Sequence, residues 1–247
     1  MGTCSYSTVL IGSGNVASHL GLALEQAGHR VVRVGGRNRT KPIPRDADLY
    51  IIAVTDSAIA SVAEEIGDVP GLVVHTAGSV PMSVLPQHRK GVLYPLQTFN
   101  KGRPVDMRSV PLFIESEGGE ELLRQVASQL SDMVIPMDSE RRRYLHLAAV
   151  FCNNFTNHMY RITEELLAQH DIPFDVMLPI IDETARKVHS LTPSQAQTGP
   201  AVRWNQGVME AQQNLLERED LRQLYQIISK SIHHDKLQSQ QDQGVSI

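Results

Sequence analysis

Several groups of residues combine the types and spacing that chemistry needs. The first is Gly12-Ser13-Gly14-Asn15-Val16-Ala17, a G-x-G-x-x-A run between a short apolar segment and a helical pattern. In such a run the first glycine makes a tight turn and the second lets the backbone approach a pyrophosphate. The small sixth residue lets helix and strand pack closely. The amides at the helix start, at the positive end of its dipole, would receive the phosphates. Ser13, Asn15 and Val16 belong to that cradle; a purely structural turn is the other reading.

After the second apolar run, a protein that binds NAD usually carries an acid for the ribose hydroxyls. This chain has Gly35-Gly36-Arg37-Asn38-Arg39 there, with no carboxylate. Arg37 and Arg39, with Asn38 between them, suit a 2′-phosphate, because guanidinium groups match its oxygens. NADP is therefore the expected cofactor, and solvated loop charges are the alternative. Ligands bind beyond the carboxyl ends of the strands, so two more loops should reach the cofactor. One contains Val54, Thr55 and Asp56, the other His75, Thr76, Ala77 and Gly78. Asp56 reads as a helix cap, His75 as a satisfied half-buried histidine with a catalytic one as the alternative, and Gly78 as the residue of a backbone turn.

The segment 144–160 contains no Asp, Glu, Lys or Arg. At about 100° per residue, Leu147, Phe151, Phe155, Met159, Ile162 and Leu166 form one apolar stripe. His146, Asn153, Asn157 and Tyr160 gather opposite. A solvated helix face normally carries charge, so the segment is expected to be buried all round. Its polar face then either meets other helices or points at the cofactor. Further on, Thr198-Gly199-Pro200 and Arg203 read as a loop opening a helix. Thr198 is either that helix's cap or, with Arg203, part of a pocket for a substrate carboxylate. Gln97 and Thr98 would line the same cleft.

The elements that must position these groups fall into two rhythms. Up to residue 138, short β-branched runs at 8–11, 30–34, 49–54, 72–75, 91–93, 112–115 and 133–136 alternate with amphipathic segments at 16–27, 58–66 and 120–130. Nearly all-apolar runs such as Tyr50-Ile51-Ile52-Ala53-Val54 suit strands covered on both faces. The order predicts an α/β fold, a doubly wound, mostly parallel Rossmann sheet. Pro42 and Pro44 leave an irregular second crossover. From 139 onward only helices are expected, at 140–170, from Pro173 to before Pro193, at 201–217 and at 221–232. Ser139 would cap the first. The expected domains are thus 1–138, a Rossmann domain; 139–235, all-α; and 236–247, a frayed polar tail.

The balance of 23 basic and 27 acidic residues, net charge −4, gives no reason to expect nucleic acid or an anionic membrane as partner. Cys4 and Cys152 match no metal spacing, so no metal is expected and a reducing cytoplasm is the default location. No basic segment followed by a long apolar run opens the chain, so no signal peptide is expected. No run of about 18 apolar residues predicts a membrane span.

With these residues in view, the chain resembles a family of Rossmann-like NADP oxidoreductases whose C-terminal helical region was long of unknown function. They are relatives of pyrroline-5-carboxylate reductase, ketopantoate reductase and the hydroxyisobutyrate dehydrogenases. The marks are Val74-His75-Thr76-Ala77-Gly78-Ser79, Tyr94-Pro95-Leu96-Gln97-Thr98-Phe99, Asn153-Asn154 and Thr198-Gly199-Pro200. Tyr94 stands where the family pattern has a histidine before the proline. The resemblance implies an NADP-binding domain, then a helical domain that packs against a second subunit in a homodimer. It also directs attention to the first long helix, where related dehydrogenases carry their acid or base. Here that helix has no lysine in the corresponding place. The expectation is reduction of a small carbonyl or imine acid, such as ketopantoate or pyrroline-5-carboxylate. His146 would give the proton and Asn153 would orient a substrate oxygen. A dinucleotide-binding sensor or assembly module without catalysis is the competing expectation.

Overall fold

The computed structural model describes residues 4–35 and 42–244, with side chains through Gln238. The expected Arg37-Asn38-Arg39 contacts lie outside the described residues. Strands β1 (Ser7–Ile11), β2 (Arg30–Val34), β3 (Leu49–Ile52), β4 (Leu72–His75) and β5 (Lys90–Pro95) are parallel to one another. A reversed pair completes the sheet: β6 (Leu112–Glu117) runs antiparallel to β5, and β7 (Val134–Pro136) runs parallel to β6. The order across the sheet is β2-β1-β3-β4-β5-β6-β7. This is a Rossmann-type, mostly parallel sheet. The strand order reverses direction at β1, so a crevice opens between the loops that follow β1 and β3.

Side-chain alternation builds the two layers of core. Leu10, Leu49, Ile51, Leu72 and Val74 face helices α1 (Asn15–Gln26) and α3 (Glu120–Leu130). Val9, Ile11, Tyr50, Ile52 and Val73 face α2 (Ile59–Ile66). Both faces of the central strands are therefore covered, which explains their uninterrupted apolar runs. Residues 42–48 of the second crossover carry no helix.

The strands end at Pro136 and helix α4 (Ser139–Ala149) begins three residues later. Compact packing divides elsewhere: one unit is residues 1–160 and the other 161–247. The first part of the long helix belongs with the sheet, because Leu145 and Met137 pack against Val92, Tyr94 and Phe113. Ser139 is not the cap of α4. Asp138 takes that place, its carboxylate accepting from the Arg141 amide at 2.8 Å. Ser139 turns inward and accepts from the Met82 amide at 2.9 Å.

After α4 the helix continues as a π-helical turn, Val150–Phe155, and then as α5 (Thr156–Ala168). Burial all round is not what this segment shows: Tyr144, Leu147, Phe151 and Phe155 are 69%, 53%, 62% and 50% exposed. Its lack of charge reflects an open apolar face rather than an interior one.

The second unit contains α6 (Leu178–Lys187), α7 (Pro193–Ala196), α8 (Gln206–Asn214) and α9 (Glu219–Gly244). A capping box of Thr192 and Gln195 starts the short α7, which the sequence pattern did not predict. The helix expected from 201 starts at Gln206, because a turn occupies 200–204 and Asn205 caps α8. The tail expected to fray from 236 continues α9 to Gly244. No helix among the described residues is long and apolar enough to cross a membrane.

Candidate active site

A cleft of about 1170 Å³ lies over the carboxyl ends of β1, β3, β4 and β5. Its walls are the loops that follow these strands, part of α2 (Ser61, Val62 and Glu65) and one residue of α4. Gly12, Ser13, Gly14, Asn15 and Val16 line it, as do Val54, Thr55, Thr76, Ala77, Gly78 and Gln97. His146 reaches the same cleft.

The glycines explain the shape at the first loop. Gly12 has φ +139°, and a Cβ there would overlap the Ala53 carbonyl, so the loops after β1 and β3 touch through bare backbone. The same Cβ would lie 3.5 Å from that of Ala17, which is buried. Gly14 differs: a Cβ there would meet nothing within 4 Å. Its use is to leave the backbone open toward the cleft. Gly14 caps α1 without a side-chain hydrogen bond, and the first turn of α1 holds no acidic residue. The first amides of α1 are thus free of a competing cap, and this is the cradle a pyrophosphate requires. The residues present fit a dinucleotide.

Two contacts brace the rim. The Asn15 side-chain amide donates to the Phe99 carbonyl at 2.7 Å, and the His19 ring lies 4.8 Å from that of Phe99. These tie the loop carrying Gln97 to the start of α1. Across the cleft, Ser79 donates to the Asp56 carboxylate, joining the loops after β3 and β4. Asp56 therefore does not cap the following helical turn; Thr55 stands at that position, without a side-chain bond.

His75 is fully buried rather than half-buried, and its Nδ1 accepts from the Ala77 amide at 3.2 Å. It fixes the 75–78 loop from beneath. Burial lowers its pKa to about 4, and the charge of Arg142 adds to the effect. The ring is neutral wherever the protein is folded near neutrality.

Arg142 was not singled out from the sequence. Paired residues on β4, β5 and β6 set His75 beside Val92 and Val92 beside Glu115, on the face that α4 covers. The fully buried Arg142 crosses this row. Its guanidinium pairs with Glu115 and donates to the Val80 carbonyl at 2.7 Å and to Ser139 at 3.1 Å. These partners satisfy the two terminal nitrogens of the buried guanidinium, while its Nε has no hydrogen-bond partner among the described residues. Within Arg141-Arg142-Arg143, no pattern in the sequence tells which arginine turns inward.

One turn later on α4, Nδ1 of His146 lies 3.0 Å from the Tyr94 hydroxyl, with the rings at 75°. Burial pushes the Tyr94 phenol up, and the Arg142 charge opposes it. Gly78 packs against both rings. Its φ does not require glycine, so its role is close approach rather than the turn expected from the sequence. The site thus brings together a phosphate cradle, a loop fixed from below and an imidazole–phenol pair. It can hold a dinucleotide and move a proton beside it.

Other expected residues fall elsewhere. Thr98 is exposed and does not line the cleft; its amide donates to the side chain of Gln97 at 2.8 Å. Asn153 sits exposed on the π-helical turn, outside the cleft. An i→i+5 turn advances less per residue than an α-helix, so Asn153 departs from the face that α-helical spacing shares with His146. In the second unit, Thr198 and Arg203 are exposed, and Thr198 caps no helix.

Residues 110–232 match the family described as "Domain of unknown function (DUF2520)". The "putative NADP oxidoreductase BF3122 from Bacteroides fragilis" is 43% identical, over 93% of this chain and 98% of its own, with a TM-score of 0.86. The chain belongs to that protein's family. The DUF2520 match begins just before β6, so it takes in Glu115, Arg142 and His146. More distant structures share the fold. A 1-pyrroline-5-carboxylate reductase from Streptococcus pyogenes is 12% identical, covering 93% of this chain and 99% of its own, with a TM-score of 0.62. An imine reductase from Myxococcus stipitatus, in complex with NADP+, is 12% identical, covering 96% and 94%, with a TM-score of 0.61. No curated protein matches the chain.

Proposed function

We propose that the protein is an NADP-dependent oxidoreductase that reduces a small carbonyl or imine acid. The observation that carries this reading is the cleft. An uncapped helix start and a bare glycine loop stand at one end, and His146 with Tyr94 stands at the other. NADPH, when bound, supplies hydride. Gly12 to Val16 hold its phosphates, the 54–55 and 76–78 loops shape the nicotinamide end, and Gln97 borders the substrate. His146 gives a proton to the oxygen or nitrogen that receives charge. The cofactor named for the 43% identical relative supports NADP over NAD. So does the pair Arg37 and Arg39 in the sequence, where an acid for the ribose is absent. Ketopantoate and pyrroline-5-carboxylate represent the substrate class.

The reading includes a homodimer in a reducing cytoplasm. The exposed stripe of Leu147, Phe151 and Phe155 supports the dimer, since contiguous apolar surface marks an association site. The test of function is a screen of keto and cyclic imine acids for NADPH oxidation, with His146→Ala as control. Turnover that disappears in His146→Ala while NADPH still binds supports the assignment. Turnover of equal rate in that variant removes His146 from the chemistry. Replacing Arg37 and Arg39 together with alanine should weaken NADPH far more than NADH.

A further inference from the structure

Tyr94 stands where the family resemblance led us to expect a histidine, and its surroundings give the phenol a task of its own. It lies on the face of β5 that α4 covers, against Phe113, and is largely buried. Among the described residues its hydroxyl has one hydrogen-bond partner, Nδ1 of His146. A buried hydroxyl donates its proton where an acceptor is in reach. Where the ring presents Nδ1 as the acceptor, the phenol donates to it and a single ring proton sits on Nε2. That nitrogen has no protein partner among the described residues, on a side chain that lines the cleft.

We propose that Tyr94 is the positioning residue of this site, holding His146 with its proton on Nε2 and refilling the ring once that proton is given up. The inference rests on the reading of the cleft as a reductase site. As the substrate carbon takes up hydride, the electron pair of its double bond moves to oxygen or nitrogen. That atom takes the proton from Nε2, and Nδ1 takes the phenol proton in turn. The imidazole begins and ends neutral, so no imidazolium has to form beside buried Arg142. Negative charge comes to rest on the Tyr94 oxygen, and a solvent proton then restores the phenol.

Two neighbours are arranged for this. Burial raises the phenol overall, and the Arg142 guanidinium offsets part of that cost for a short-lived phenolate. Gly78 makes the pair possible: a Cβ there would fall 2.6 Å from His146 Nδ1 and 2.9 Å from Tyr94 Cζ. At such separations one ring must shift.

The test reads the tautomer in the ligand-free protein. Nitrogen-15 NMR of the histidine rings, with His146 assigned by its absence in His146→Gln, should show Nδ1 bare and Nε2 protonated. In Tyr94→Phe the His146 signals should move toward a mixture of tautomers. In the NADPH-dependent reaction kcat should fall about tenfold or more, with the KM for NADPH within about twofold. Gly78→Ala reaches the same contact without touching the phenol and should give the same tautomer change. His146 signals identical in wild type and in either folded variant would overturn the proposal. If NADPH fails to bind wild-type protein, the reductase reading fails and the relay falls with it, whatever the NMR shows.

Discussion

Gly78 and His146 approach so closely that a methyl group on the glycine would lie 2.6 Å from the imidazole nitrogen. Glycine is present because α4 lays a ring directly on the loop after β4, not because the backbone demands it. Gly78→Ala should therefore overpack the site and lower stability by about 1–3 kcal/mol. Urea unfolding checks this. Stability equal to wild type would mean that His146 moves aside without cost.

Arg142 and Glu115 form the ion pair that binds α4 to β6, with the arginine side chain 1% exposed. Glu115→Gln leaves that guanidinium without its counter-charge in the interior. The expected loss is about 3–5 kcal/mol by urea unfolding. Arg142→Met with Glu115→Leu, which removes both charges and keeps apolar volume, should recover most of it. If Glu115→Gln unfolds like wild type, the pair contributes nothing to holding the helix.

His75 makes stability depend on pH in a stated direction. Its folded pKa is about 4, against an ordinary 6.5. Between these values the unfolded chain binds more protons than the folded one, so stability rises with pH. The contribution is complete well above pH 6.5 and is lost as pH falls toward 4, the loss reaching roughly 2 kcal/mol at about pH 5. His29, also lowered by burial, acts in the same sense. His75→Asn keeps an acceptor for the Ala77 amide and removes the titration. Its unfolding free energy should change less between about pH 7.5 and pH 5 than that of wild type. An unchanged dependence would show that His75 takes up its proton in the folded protein as readily as in the unfolded chain and contributes no linkage.

The proposed dimer has a simple test in the exposed aromatic pair. Phe151 and Phe155 meet edge to face, 5.0 Å between centroids. Phe151→Asp should convert a dimer to a monomer in sedimentation equilibrium, because a charge in an apolar contact costs several kcal/mol. A wild-type protein that is monomeric at high concentration would refute the dimer.

The sheet was legible in the sequence because buried parallel strands leave uninterrupted apolar runs, and the glycine loop over the cleft because Gly12 and Gly14 stand between an apolar run and a helical pattern. Gln97 and His146 also reached the cleft as expected. What was hidden depends on long-range contact. Arg142 looks like its neighbours Arg141 and Arg143 until β6 supplies Glu115. Asp56 resembles a cap until the next loop brings Ser79. α-Helical spacing puts Asn153 on the face of His146, and the π-helical turn between them moves it off that face. A charge-free helix has the composition of an interior one, and an apolar face left open at the surface has the same composition.

Dinucleotide binding at the β1 loop is the claim on which the rest depends, and one titration tests it most directly. NADPH fluorescence is followed as wild-type protein and Gly14→Val are added, the valine filling the open space above the start of α1. The expected result is saturable binding by wild type, weakened at least about a hundredfold in the variant, since side-chain atoms would stand where the pyrophosphate must approach. Failure of wild type to bind, or equal binding by Gly14→Val, would contradict the assignment and leave residues 12–17 as a structural turn.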